Sequence, residues 1–460
     1  MGVVSSWDAV VVGAGAAGIF AARELGLTGA KVLVLEQGPE LGRRQCPRCE
    51  ADASCHGCVP CHLLSGWGGA GAFSDGKLSL SPQVGGFLPE FIAPQDLAGL
   101  LAEVDGVYRA HGAPAAVHGG DGDVFGSLGE RARAADLTLV KNPVRHMGTD
   151  TCRQVLGSLF EQVAGMVQVR FGAACGEVLV EGGRCRGVRV AGERLSADAV
   201  ILAPGRLGAA WVREVSAALG VPSRPNPVDI GVRVECPAPV LAEVTDALYE
   251  AKLLYTAPTF GDQVRTFCMN PGGEVVHESY RDCLTVNGHS YAAADGPATN
   301  FALLVKTEFT EPFDDPIAYG RSIARLANLL SGGVLVQRFA DLAAGRRSTP
   351  ERIRGAAIAP TLHGATPGDL AFVLPHRHLV DLTEMLHAVD AFCPGVTGPD
   401  TFLYGVEVKF YSNRLALDGS LQTPIAGLYG AGDGVGVSRG LMQASASGVW
   451  AARAMQGARR

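Results

Sequence analysis

Near its start the chain carries an apolar run, Ala9-Val10-Val11-Val12, which reads as a strand buried on both faces. A turn rich in small residues follows, Gly13-Ala14-Gly15-Ala16-Ala17-Gly18, and Ile19 to Leu27 then has helical periodicity. A second apolar strand, Lys31 to Leu35, ends on Glu36. Strand, glycine turn, helix, strand and acid in this order make a βαβ dinucleotide signature. The glycines let the backbone come close, so a pyrophosphate can rest on amides at the helix N-terminus, between Gly13 and Gly18. Glu36, with Gln37 beside it, is placed to accept hydrogen bonds from an adenosine ribose, and an acid there argues against a 2′-phosphate.

The pattern then loosens. Residues 46–62 are a cysteine-rich loop, followed by glycine-rich Gly66 to Gly71, where Gly69, Ala70 and Gly71 are candidate cofactor contacts. Residues 80–135 have helical periodicity broken by Gly and Pro. Thr149 to Met166 predicts an amphipathic helix. Short strand-like runs over 167–200, split by Gly182-Gly183 and Gly192, predict a β-meander. It leads into an apolar strand, Ala199 to Leu202, that ends in Ala203-Pro204-Gly205. Residues 226–394 mix strands and helices without a second Gly-x-Gly-x-x-Gly after a strand. Thr401 to Tyr411 reads as a strand, and Gly427-Leu428-Tyr429-Gly430-Ala431-Gly432-Asp433 precedes a last, glycine-punctuated helix. The expected fold is α/β: a discontinuous Rossmann-like dinucleotide-binding domain, parallel sheet plus β-meander, with an inserted mixed α+β substrate domain. The boundaries expected are 1–80, 140–225 and 395–460 for the first, 81–139 for a helical insertion, and 226–394 for a substrate or cap domain.

Composition narrows the class. At 47% hydrophobic and 18% charged, the 460 residues form a globular chain able to bury a core. The net charge of −7 is spread out, which speaks against a nucleic-acid partner. No stretch reaches the ~20 apolar residues of a membrane span. The apolar N-terminus lacks a basic leader, so a cytoplasmic protein is expected.

The strand ending in Gly430-Ala431-Gly432-Asp433 resembles the second fingerprint of two-fingerprint flavoproteins, and the Ala203–Gly205 segment resembles their internal crossover. That likeness implies FAD, with Asp433 and Gly432 at the ribityl chain and the amides near Leu441, Met442 and Gln443 at the flavin pyrimidine edge. Over nearly its full length the chain also resembles a bacterial family of FAD-dependent dehydrogenases. The similar stretches are Gly66 to Leu78, Asn226 to Glu235, Thr266 to Pro271, Thr285 to Tyr291, Ala344 to Pro350, Tyr404 to Ser412 and Arg439 to Gly448. The resemblance implies FAD, a glutathione-reductase-type flavin domain and a dehydrogenase reaction. It implies no particular substrate.

Five of the twelve cysteines, Cys46, Cys49, Cys55, Cys58 and Cys61, fall in the 46–62 loop. Cys55-x-x-Cys58-x-x-Cys61 with Cys46 or Cys49 as a fourth ligand suits an iron–sulfur cluster, and with His56 and His62 near, zinc. A redox-active dithiol is the third reading, and reduced structural thiols the plain one.

For the chemistry, His289 in a turn-like stretch is a candidate acid/base, with His277, His363, His376 and His378 behind it; each can equally be a structural histidine. Glu407, Lys409 and Tyr411 alternate with Val406, Val408 and Phe410, which puts the polar three on one strand face, near a cofactor or in an ion pair. Arg347, beside Arg346 and before the cap-like Ser348-Thr349-Pro350-Glu351, is a candidate anion ligand. Arg439 is another. The leading expectation is a dehydrogenase or desaturase taking hydride from a small organic substrate onto flavin N5. Its second redox partner would be oxygen, a quinone, NAD(P)H or a redox protein. Rivals are a flavin- and thiol-dependent disulfide oxidoreductase using Cys55, Cys58 and Cys61, and an electron-transfer flavoprotein with a metal loop.

Overall fold

A computed structural model describes residues 6–46, 58–280, 282–290, 296–309, 312–313 and 315–458. The chain divides into two compact units, one of residues 1–116, 145–226 and 411–460, the other of 117–144 and 227–410.

The first unit is built on a seven-stranded sheet. Its parallel part runs Gln168–Arg170, Val32–Leu35, Trp7–Val12, Glu193–Leu202 and Leu428–Gly430. Both faces of Val32–Leu35 and Trp7–Val12 and of the Ala199–Leu202 end of the next strand are largely covered, which is why these stretches read as apolar runs. Glu193–Leu202 continues antiparallel into Arg184–Val190 and Cys175–Glu181, the expected meander. Helix Ala16–Gly26 packs along helix Leu441–Gly457 so tightly that a Cβ on Gly448 would lie 2.0 Å from the Ala17 carbonyl oxygen.

The second unit is an eight-stranded, mainly antiparallel sheet. Strand Phe402–Lys409 lies between Leu335–Arg338 and Val228–Pro237, with Ala298–Thr307 and Gln263–Asn270 beyond. Val228–Pro237 alternates: Val228, Ile230, Val232, Val234 and Cys236 join one apolar core, while Asp229, Arg233 and Glu235 point the other way yet are also buried. Hairpin Glu274–Ser279 with Leu284–His289 stands apart from the large sheet.

The division departs from the expected boundaries. Residues 81–139 do not form an insertion of their own. Helix Pro94–Ala110 buries Leu97, Leu100, Leu101, Val104 and Tyr108 in the core of the first unit, whereas helix Gly122–Ala134 buries Leu128 and Ala132 in that of the second. The sheet pairing of Phe402–Lys409 moves the last boundary from 395 to 411. Tyr411 lies past the end of that strand, which stops at Lys409.

Candidate functional site

In the first unit three separated segments meet at the C-terminal ends of the parallel strands, where open α/β sheets bind ligands. Ala203 donates to the Val12 carbonyl at 2.8 Å, and Ala431 to that of Leu202 at 2.9 Å. Gly13 has φ +102°, and a Cβ on it would sit 2.3 Å from the Ala203 carbonyl oxygen. Only glycine fits there. Gly434 approaches Gly205 as closely, 2.6 Å from a built Cβ to the Gly205 oxygen, and Pro204 lies beside both. The glycine turn, the Ala203–Gly205 segment and the Gly432–Asp433 segment are thus brought together as the sequence suggests.

Two helices begin at this place without a side-chain cap: Ala16–Gly26 at Gly15 and Leu441–Gly457 at Gly440. The first-turn amides of Ala16, Ala17 and Gly18 at one, and of Leu441, Met442 and Gln443 at the other, suit an anionic or electron-rich ligand. Gly69 reaches the same spot: a Cβ on it would lie 3.1 Å from Gly15 Cα. It opens the short turn Gly69–Phe73 that includes Ala70 and Gly71, and Gly71 faces the Leu441 side chain. A cleft of about 510 Å³ is lined by Gln37, Gly38, Pro39, His62, Phe171 and Gly172, among others.

Glu36 does more than the sequence suggests. It is 5% exposed, and its carboxylate accepts the amides of Ala14, Gly38 and Gly66 at 2.8, 2.8 and 2.9 Å. It clamps three loops together before any ribose is considered. The Gln443 side chain is likewise committed: it donates to the Pro82 and Val84 carbonyls and accepts from the Leu88 amide. Only its backbone can face a cofactor. Asp433 accepts the Ser438 hydroxyl at 2.6 Å, with the Arg206 guanidinium 3.8 Å away.

Sequence reasoning missed Ser438, Arg206 and Arg44, because none belongs to a glycine pattern. Arg44 is 1% exposed and binds the carbonyls of His62, Leu63, Trp67 and Gly69, which fixes the strap that carries Gly66 and Gly69. Arg439 stacks between Tyr411 at 3.6 Å and Phe87 at 4.4 Å, just ahead of helix Leu441–Gly457.

In the second unit Glu407 and Lys409 do share a face, as alternation predicts, but neither is open to a substrate. Glu407 is fully buried and binds Arg233 through both oxygens at 2.8 Å, while Lys409 bridges Glu407 at 3.0 Å and Glu278 at 3.1 Å. Burial alone would pull the Lys409 ammonium down, but the two carboxylates hold it above its usual value. They form a neutral ionic core, which corrects their assignment as catalytic groups. His289 ends its strand opposite Glu274 and is half-buried. Arg347 is exposed beside helix Pro350–Arg354, which Thr349 caps as expected. The structure does not bring Arg347 and His289 together through any hydrogen bond or ion pair among the described residues.

A second buried cluster lies at the start of helix His376–Phe392. Asp381 is fully buried, and the group it faces is the Asp262 carboxylate, to which it can donate only when protonated. Burial, and then the facing Asp262 carboxylate, push it up to about 7; Asp262 itself is held low by Arg377. His378 nearby is pulled down to about 4, chiefly by burial. Between about pH 4 and 7 the folded state keeps an Asp381 proton that the unfolded chain has lost, so stability falls as pH rises through that window. His378 acts oppositely and loses stability as pH falls from 6.5 towards 4. Asp381→Asn should therefore stabilise the protein at pH 8, on the order of 1–3 kcal/mol, and give no gain at pH 4. Denaturant unfolding at the two pH values checks this; an equal effect at both would contradict it.

Of the loop cysteines, Cys46 and Cys61 are half-buried, Cys58 is exposed and all three are free thiols. Cys49 and Cys55 lie outside the described residues. Among the described residues no group of three or more Cys, His, Asp or Glu is arranged to hold a metal ion. No helix among them is long and apolar enough to cross a membrane.

Comparison with known proteins agrees with this picture. The family model for the C-terminal domain of FAD-dependent proteins matches residues 227–410, the same span as the main segment of the second unit. A Rossmann-like NAD(P)-binding model matches residues 11–49. An uncharacterised protein of Clostridium beijerinckii is 28% identical over 96% of this chain and 79% of its own length. Among solved structures, glycine oxidase from Bacillus cereus aligns at 11% identity over 98% of this chain and 97% of its own, with a TM-score of 0.39. The 3-ketosteroid-Δ4-(5α)-dehydrogenase of Rhodococcus jostii RHA1 aligns at 15% identity over 98% and 95%, with a TM-score of 0.44. Residues 227–410 are thus similar to the C-terminal domain of FAD-dependent proteins, and residues 11–49 to a Rossmann-like dinucleotide-binding domain.

Proposed function

We propose that this oxidoreductase is a dehydrogenase or desaturase that removes hydride from a small organic substrate. Bound FAD supplies the chemistry by accepting that hydride at its N5 atom. The carrying observation is that one dinucleotide cradle is assembled from three segments of the first unit, while the second unit is an antiparallel sheet with a different use.

In this reading the amides of Gly15, Ala16, Ala17 and Gly18 hold the pyrophosphate, while Gly13, whose amide donates to the Leu35 carbonyl, shapes the turn. Glu36 and Gln37 meet the adenosine, with the one acceptor site that the Glu36 clamp leaves over. Gly69 to Gly71, Gly432 and Asp433 border the ribityl chain, with Ala203 to Gly205 beneath. The amides at Leu441 to Gln443 place the positive end of a helix dipole where reduced flavin gathers negative charge. His289 is the proposed proton-transfer group. Arg439, fixed between two rings, is the proposed contact for an anionic part of the substrate.

A reductase would be fed by a nicotinamide, so anaerobic rapid mixing separates the two. Neither NADH nor NADPH should bleach the flavin at a rate comparable with turnover. Fast, stoichiometric bleaching by either would overturn the dehydrogenase reading and leave FAD binding intact.

A further inference from the structure

Cys58 and Cys61 sit three residues apart on the strap that leads into the dinucleotide cradle. Cys58 is exposed, Cys61 is half-buried, and both are free thiols. Cys61 is held in place: its carbonyl accepts the Ser65 amide at 2.9 Å and the Ser65 hydroxyl at 2.7 Å. Behind it lies the Arg44 guanidinium, whose four partners are all main-chain carbonyls. Carbonyls satisfy its donors, and the main countercharge acting on it is the Glu36 carboxylate. Burial pulls Arg44 down to about 10, and charge at Glu36 and at Cys61 pushes it back up, so Cys61 is within electrostatic reach of the guanidinium. A thiolate is the reactive form of cysteine.

From Cys61 the same strap runs on to Gly66, whose amide binds Glu36 at 2.9 Å, and to Gly69, which lies against Gly15. We infer that Cys58 and Cys61 form a reversible disulfide, a redox site whose state is felt by the dinucleotide cradle through this strap. The oxidant is a low-molecular-weight disulfide. The Cys58 thiolate attacks one of its sulfurs, breaks the S–S bond and releases one thiol, leaving a mixed disulfide on Cys58. The Cys61 thiolate then attacks the Cys58 sulfur, releases the second thiol and closes the internal bond. The protein dithiol loses two electrons, the small disulfide gains them, and the two thiol protons end on the two released thiols. This inference stands independently of the flavin reaction proposed above.

The test equilibrates the FAD-loaded protein in glutathione buffers of rising oxidised fraction, traps free thiols by alkylation and maps the 58–61 peptide by mass. The expected result is a disulfide within that peptide that reduced glutathione reverses. Cys58→Ser and Cys61→Ser should each abolish it and leave a stable glutathione adduct on the remaining cysteine. Flavin release during dialysis should differ several-fold between the oxidised and reduced wild type, and not in either variant. Thiols at 58 and 61 that stay alkylatable in excess oxidised glutathione overturn the inference. So does a disulfide mapped to Cys46, Cys49 or Cys55, or stoichiometric zinc or iron that masks the thiols. Equal flavin release in the two states overturns the coupling to the cradle.

Discussion

Arg233→Ala is expected to destabilise the protein by about 3–5 kcal/mol, the usual cost of stripping one partner from a buried ion pair. Arg233 has no exposed surface, and all of its donors are used. Two go to Glu407, one to the Cys268 carbonyl at 2.7 Å, and others to Asn300 and Asn287 at 3.2 and 3.1 Å. Truncation leaves Glu407 buried against Lys409 alone, and leaves the Cys268 carbonyl and the Asn300 and Asn287 side-chain oxygens with only their weaker or local donors, Asn270 and the Gly288 amide. Asn287 belongs to the hairpin that ends in His289, so this guanidinium also fixes that hairpin to the main sheet.

Arg233→Lys keeps the charge but loses the planar fork, and should cost less than alanine but still be measurable. Glu407→Gln should also destabilise, because it keeps the shape but turns an NH₂ group toward a cationic donor and leaves Arg233 and Lys409 with Glu278 alone. Urea unfolding of the three variants gives the order. A loss below about 1 kcal/mol for Arg233→Ala would place the pair among weak surface bridges and refute its role as a core anchor.

Such an anchor is half-visible in the sequence. Val228, Ile230, Val232 and Val234 alternate with Asp229, Gly231, Arg233 and Glu235, which local reasoning takes for a strand with one wet face. What alternation cannot show is that the second face is covered too, so that its charges must pair inside. Glu407 and Lys409 were misjudged for the same reason. Their partners Arg233 and Glu278 lie 174 and 131 residues away in sequence. The boundary at 411 was hidden in the same way, since it depends on which strands flank Phe402–Lys409. The dinucleotide cradle was legible because its constraints are local. Parallel strands buried on both faces leave apolar runs, and the turns between them need glycine where the backbones nearly touch, as Gly13 and Ala203 do. Arg44 left no such trace. It satisfies carbonyls, and any residue has a carbonyl.

Glu36 combines both kinds of information, and replacing it should separate them. As a ribose ligand alone, Glu36→Ala would weaken FAD binding and leave the cofactor-free protein unchanged. The three amides it accepts predict otherwise. Ala14, Gly38 and Gly66 would each keep a buried N–H without an acceptor, at about 1–3 kcal/mol apiece, with part of the sum offset by no longer burying a carboxylate. A net loss on the order of 3 kcal/mol should therefore appear in the apoprotein itself. Glu36→Gln retains one carbonyl oxygen, able to serve two of the three amides, and turns an NH₂ group toward the remaining one. Its stability should lie between wild type and alanine. Thermal unfolding of apo and FAD-loaded forms of the three proteins makes the comparison. If the apoproteins melt together and only the loaded forms differ, Glu36 is a ligand contact and no clamp. If the apoproteins already separate in the order wild type, Gln, Ala, the carboxylate that marks the nucleotide fingerprint also holds together the loops that form the site.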